Sequence, residues 1–442
     1  MKPLMTGAAC RVWATLLLVL WPAAVHAGDL GNLHTQWGGH LRGIGGLSYP
    51  DDRSIYQVVD ADTPFVDGQA ELRLKNNLSL GSAWSLETHY ELLGLRGDTL
   101  EKSNQVHNVL PSAAASTALG SQAVIDDDRR LLNLTHILSQ GDDYVVYHRL
   151  DRLNLRYIGS RATVRVGRQA LTWGNGLIFN PMDLFNPFSP VTVQKDYKTG
   201  DDMLHLQMTV GQGEVQMLYL PRRDPGSGDI RDDRSSYAAK WHLTLNTMEM
   251  DLMAARHYND ILLAAGAVGY LGGAAWRVDT LYSRLDDHRN QRDCWQIVAN
   301  LDYAWLWLGK NIYGLVEFYY NGLGLGHGDY AQSLTDNQLS RRLDRGELFT
   351  LGRAYLAGQL RAELHPLLQT SLITIVNPAD PSSIVQPQLE WDLATDWQLI
   401  AGASLYCGGG DTEFGGFYAE VDGTRIKVGP ADGGYLWLSY YF

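Results

Sequence analysis

The side chains that could do chemistry in this chain are charged residues repeating at every second position. Arg42, Arg73, Lys75, Arg152, Arg156 and Arg165 lie early, and Glu87, His89 and Glu91 share one such run. Asp251, Asp279, Asp302, Glu317, Glu390 and Asp392 lie later. A period of two puts side chains on one face of a strand. The chemistry implied is electrostatic. A basic wall facing an acidic one sets up a field that orients and selects charged solutes. The plainer alternative is that polar faces pair their charges across strands. Glu87, His89 and Glu91 show only what any wet strand face shows, so no metal site is assigned. The chain has no GxSxG, HExxH or GxxxxGK[ST] motif and no CxxCH. No catalytic residue and no cofactor are therefore expected, and the chain reads as a non-enzyme.

A second candidate is Gly167-Arg168-Gln169, followed by Trp173-Gly174 and two Phe-Asn-Pro triplets at 179–181 and 185–187. Asn-Pro favours turns. Ile178, Phe179, Met182, Leu184, Phe185 and Phe188 would expose a costly apolar patch if the segment stood free in water. It is expected to fold inward, so that Asp183, Phe185, Phe188, Lys195 and Asp196, with Lys198, Asp201 and Asp202, line a constriction. The alternative is a cap packed over a rim.

These residues need strands to position them. Gln69-Ala70-Glu71-Leu72-Arg73-Leu74-Lys75 alternates most clearly, with Glu71, Arg73 and Lys75 on one face and Leu72 and Leu74 on the other. About eighteen such stretches follow one another through residues 28–442, with sixteen still compatible. They include 34–49, 143–158, 162–173, 202–211, 213–222, 292–306, 310–323 and 347–363. Tight turns at 81–82, 159–161, 211–213, 246–247, 272–273, 306–310, 363–366 and 394–395 fall on one side, and long loops at 97–142, 174–201, 324–346 and 408–431 on the other. The fold class expected is all-β, an antiparallel up-and-down transmembrane barrel with short periplasmic turns and long extracellular loops.

Both chain ends agree. Lys2 and Arg11, the apolar run 13–21 and Val25-His26-Ala27 read as a cleaved signal peptide over 1–27, leaving one domain at 28–442. The final residues place Leu436, Leu438, Tyr440 and Phe442 on one face, and Tyr435, Trp437, Ser439 and Tyr441 on the other. An apolar face against an amphipathic one suits a strand between lipid and a wet lumen. The chain has a mean hydropathy of −0.19 and 19% charged residues, which alternating strands reconcile with a membrane. Its 13 Trp and 23 Tyr suit interfacial girdles. A net charge of −13 argues against nucleic acid. Cys294 reads as inward and Cys407 as outward, on strands that are not neighbours, so two unpaired cysteines are favoured.

The closing strand ending in Phe442 resembles that of Gram-negative outer-membrane barrels, whose terminal aromatic is part of the insertion signal. The whole mature chain resembles a porin-type barrel of about eighteen strands, similar to substrate-specific and alginate-export-type channels, and the Gly167–Asp183 stretch is similar to one found in porin-like proteins. The resemblance implies an outer-membrane channel that passes small hydrophilic, charged solutes by diffusion. It implies as partners outer-membrane lipid, lipopolysaccharide, periplasmic chaperones and the barrel-insertion machinery, with either a monomer or a homotrimer. The alternatives are a barrel that sheaths a partner protein or polymer and, lower in order, an outer-membrane enzyme.

Overall fold

The computed structural model describes residues 33–59, 61–109, 126–185, 187, 189–190, 197–286, 292–326, 328–421 and 423–442. The signal-peptide reading of 1–27 therefore lies outside the described residues. The strands are β1 (Leu33–Tyr49), β2 (Phe65–Leu80), β3 (Trp84–Gly97), β4 (Thr135–Gln140), β5 (Tyr144–Ile158), β6 (Ala162–Gln169) and β7 (Asp201–Val210). Next come β8 (Gly213–Leu220), β9 (Ser236–Leu245), β10 (Met248–His257), β11 (Asp260–Leu271), β12 (Ala274–Leu285), β13 (Arg292–Trp307) and β14 (Lys310–Asn321). The chain ends with β15 (Ala354–His365), β16 (Leu368–Asn377), β17 (Ser382–Ala394), β18 (Trp397–Cys407), β19 (Phe417–Val421), β20 (Thr424–Val428) and β21 (Asp432–Tyr441).

Each wall strand pairs antiparallel with its neighbours, and β21 pairs with β1 (Gly43 opposite Leu438), which closes the sheet. The short β4 lies on the outer part of β5, while β6 pairs with the rest, so the closed barrel counts 18 strands. Closure satisfies the backbone of every wall strand without leaving an edge. The last residue takes part: the Phe442 and Gly39 backbones exchange two hydrogen bonds of 2.9 and 3.1 Å. A Cβ on Gly39 would lie 2.2 Å from the Arg73 carbonyl and 2.8 Å from the Phe442 ring, so glycine leaves the space this joint needs.

Alternation sorts the side chains by solvent. On β11, Ile261 and Leu263 are exposed while Leu262 and Ala264 are buried. On β21, Leu436 and Leu438 are exposed while Tyr435, Trp437 and Ser439 are buried. The exterior carries Leu41, Leu72, Leu155, Val166, Leu204, Leu301 and Val316, an apolar surface that only hydrocarbon solvates well.

The eight tight turns fall where expected, and the glycines at their tips, such as Gly272 (φ 63°) and Gly309 (φ 74°), supply the left-handed backbone. The other side differs in detail. The loop after β3 opens with a helix, Asp98–Val109, and contains β4. The loop after β14 holds two short helices, Tyr330–Ser333 and Asn337–Asp344, and the loop after β18 holds the β19–β20 hairpin. Strand β15 starts at Ala354 rather than 347, because Glu347 is held in the loop by His257 (3.0 Å) and Arg345 (2.8 Å). Not every outer connection is long: β10 and β11 join through Tyr258-Asn259, both left-handed (φ 50° and 75°). Cys294 is buried and Cys407 exposed, and neither is in a disulfide.

Candidate functional site: a loop pinned across the lumen

The segment between β6 and β7 enters the barrel. Gly174 (φ 90°) turns the chain, and the two inward carboxylates Asp279 and Glu317 then capture its backbone. Asp279 accepts from the Asn175 backbone N–H (2.5 Å) and side chain (2.7 Å). Glu317 accepts from the N–H groups of Leu177 (2.8 Å), Ile178 (3.1 Å) and Phe179 (2.6 Å), and from Asn300 (3.0 Å). Three successive N–H groups converging on one carboxylate are charge-assisted bonds that hold this short stretch rigidly. Beside them Phe179 stacks on Tyr319 at 4.5 Å and Tyr355 at 5.4 Å.

From there the loop doubles back. Met182 and Phe185 pack with Trp173 of the same segment and with Leu218, Leu220 and Met253 of β8 and β10. Asp183 forms a buried ion pair with Lys198 (2.6 Å), joining the two arms of the loop. Burial pushes the Asp183 carboxyl up to about 6, outweighing the attraction of Lys198. Burial likewise lowers the Lys198 ammonium, with Asp183 opposing it.

The returning arm docks on the early strands. Tyr197 donates to Glu71 (2.7 Å) and lies under the Arg73 guanidinium at 3.6 Å. Arg152 donates to the Lys198 carbonyl (2.6 Å), and Asp151 accepts from the Gly200 N–H (3.0 Å). Beneath these contacts the wall is a buried network: His40 pairs with Glu71, Arg73 with Glu91 and Asp151, Arg149 with Glu91, and Arg152 with Asp151. Register explains it, since His40, Arg73, Glu91 and Arg149 occupy one row across β1, β2, β3 and β5. A bulge at His89/Tyr90 lets both Asp151 and Arg152 reach the network.

Against the expected wall, the positions are mixed. Arg42 sits on Trp437 at 4.9 Å and donates to Ser439 (3.0 Å). Lys75 lies opposite His89. Glu87 accepts from Asn154 (2.9 Å), and Arg156 donates to Ser85 (2.9 Å). Arg165 lies directly opposite Arg156. Arg73, Arg152 and Glu91 are not bare charges facing the solute path, because Arg73 pairs across strands with Glu91 and Asp151, and Arg152 pairs with Asp151. Asp279 and Glu317 do not face the basic wall across open space, because the loop consumes both. Phe185 is 2% exposed, edge-on to Trp173 and His257, so it supports the loop from beneath rather than lining a passage. Phe188, Lys195 and Asp196 lie outside the described residues. Reasoning from sequence missed Arg149, Asp151 and Tyr197. Only Glu71 carried a signal, since it shares the alternating face of Arg73.

The Gly-Arg-Gln motif has a separate role. Arg168 is 1% exposed and binds Asp202 (2.9 Å), Asp127 (3.0 Å) and the Leu132 carbonyl (2.6 Å), tying the loop after β3 to the top of β6 and β7. Burial raises the Asp127 carboxyl, but the Arg168 and Arg130 guanidiniums outweigh it and hold it at about 2.

No family model matches the chain, and no curated protein does. Solved structures do. OccK5 (OpdH) of Pseudomonas aeruginosa is similar at a TM-score of 0.51 and 11% identity, over 92% of this chain and 98% of that one. OccAB2 of Acinetobacter baumannii is similar at 0.50 and 12%, over 92% and 98%, and OccAB4 of the same organism at 0.50 and 8%, over 94% and 100%. At such identities the likeness speaks to architecture. The chain has the fold of the Occ/OprD-type outer-membrane porins, an 18-stranded closed antiparallel barrel.

Proposed function

We propose that this protein is an outer-membrane channel passing small hydrophilic, charged solutes by diffusion, with the 170–200 loop as its constriction. One observation carries the reading: a loop enters an apolar-jacketed barrel and is held at both arms, by Asp279 and Glu317 on one side and by Glu71, Asp151 and Arg152 on the other. A rigidly held loop narrows a lumen without sealing it by collapse. In this reading residues 1–27 are a removed export signal, 28–442 form the mature barrel, and Phe442 is read by the insertion machinery. Lipid and lipopolysaccharide surround the apolar exterior.

Swelling of liposomes carrying the purified mature protein tests this. Small neutral and charged solutes should enter, with rates falling steeply as solute size rises. Liposomes that do not swell in any solute would contradict the channel and leave a barrel that works only around a partner.

A further inference from the structure

Near the short turn between β5 and β6 the wall holds an unusual juxtaposition. Arg156 on β5 and Arg165 on β6 are direct register partners, with Ser85 on one flank and His205 on the other. Directly opposed positions hold side chains about 5 Å apart at Cβ, where like charges repel. Elsewhere on this wall the arginines are matched: Arg73, Arg149 and Arg152 each have a carboxylate. Among the described residues no carboxylate lies within ion-pair distance of Arg156 or Arg165. Arg156 donates to the neutral Ser85 hydroxyl and, among the described residues, to no other side chain. Glu87, one row further in, is engaged by Asn154 and His89. His205 is 8% exposed, and its Nε2 has no hydrogen-bond partner among the described residues.

We propose that Arg156 and Arg165, flanked by His205 and Ser85, form a binding site for a doubly charged tetrahedral oxyanion, either inorganic phosphate or the phosphoryl group of a larger solute. Two guanidiniums present donors in planar forks that match such oxygens, and two positive charges call for two negative ones. Ser85 and His205 add neutral donors at the edges. A single carboxylate would leave one of the two arginines uncompensated. The inference deepens the channel reading, since it places a solute site on the same lumen wall.

The test is isothermal titration of the detergent-purified mature protein with inorganic phosphate, in chloride buffer, alongside R156Q, R165Q and the double variant. Phosphate should bind, and each single variant should weaken it by about tenfold or more, as loss of a charge-assisted contact implies. The variants relieve a repulsion, so their melting temperatures should not fall. Absence of phosphate binding, or binding that survives in the double variant, would overturn the site. Glucose 6-phosphate run in parallel identifies the source: tighter binding than inorganic phosphate assigns a phosphorylated solute, and weaker binding assigns the free ion. Bilayer conductance of the same preparations separates this inference from the channel reading. Current without phosphate binding removes the site and keeps the channel, whereas binding without current does the reverse.

Discussion

Replacing Glu317 should release the constriction loop while leaving the barrel intact. Its carboxylate is fully buried and serves three backbone N–H groups of the loop together with Asn300. Hydrogen bonds to a charged acceptor contribute about 1.5–3 kcal/mol each. Three such bonds would set an upper limit of about 5–9 kcal/mol, but a freed loop regains water as a partner. A net loss of about 3–4 kcal/mol is expected, raising the undocked population by about two to three powers of ten. Glu317→Gln offers one acceptor and turns an NH2 group toward donors, so it should approach Glu317→Ala in effect. Single-channel recording is the assay. Both variants should show higher mean conductance and added open-state noise. Glu390→Gln is the control, because among the described residues Glu390 meets Gln398 (2.8 Å) and the more distant Arg361 (3.8 Å) and no residue of the loop. Glu317 variants that conduct as quietly and as weakly as the parent would refute the idea that this carboxylate pins the constriction.

Asp183 has its carboxyl at about 6 against an ordinary 3.8, so the docked loop favours the protonated form. That contribution, about 3 kcal/mol at 1.36 kcal/mol per pH unit, is full below about pH 4 and is lost as pH rises through about 6. Hydrogen exchange in 175–185, corrected for intrinsic rates, should therefore speed up across that interval, and slowing would contradict the sign. Arg73→Met leaves Glu91 and Asp151 with only Arg149 and Arg152, and should cost about 3 kcal/mol, read as a lower melting temperature of the folded barrel. Gly39→Ala should impair assembly into membranes by forcing β1 off β2 and Phe442, while Gly43→Ala, whose Cβ meets nothing within 4 Å, should assemble normally.

What could be read from sequence was whatever depends on period and punctuation. The two-residue alternation fixed the strands, because lipid on one side and water on the other penalise every slip of register. Tight turns such as Gly272-Gly273 fixed the sides. The Phe-Asn-Pro segment showed the inward fate of its described part, since apolar residues such as Phe179, Met182 and Phe185 cannot stay in water. Partners were not legible. The pairing of Arg73 with Glu91, or of Asp151 with Gly200, depends on cross-strand register and on a bulge, neither of which has a local signature. The use of Asp279 and Glu317 as loop anchors depends on contacts more than 100 residues apart in sequence. The helix at Asp98–Val109 was missed because its twelve residues are mostly polar and lack a sustained apolar face.

Single-channel conductance of the mature protein beside a deletion of residues 176–190 tests the central claim most directly. A steady current in the parent that rises on deletion, with selectivity retained from the charged wall, is the expected result. No current in either form, or an identical current in both, would contradict a channel narrowed by this loop.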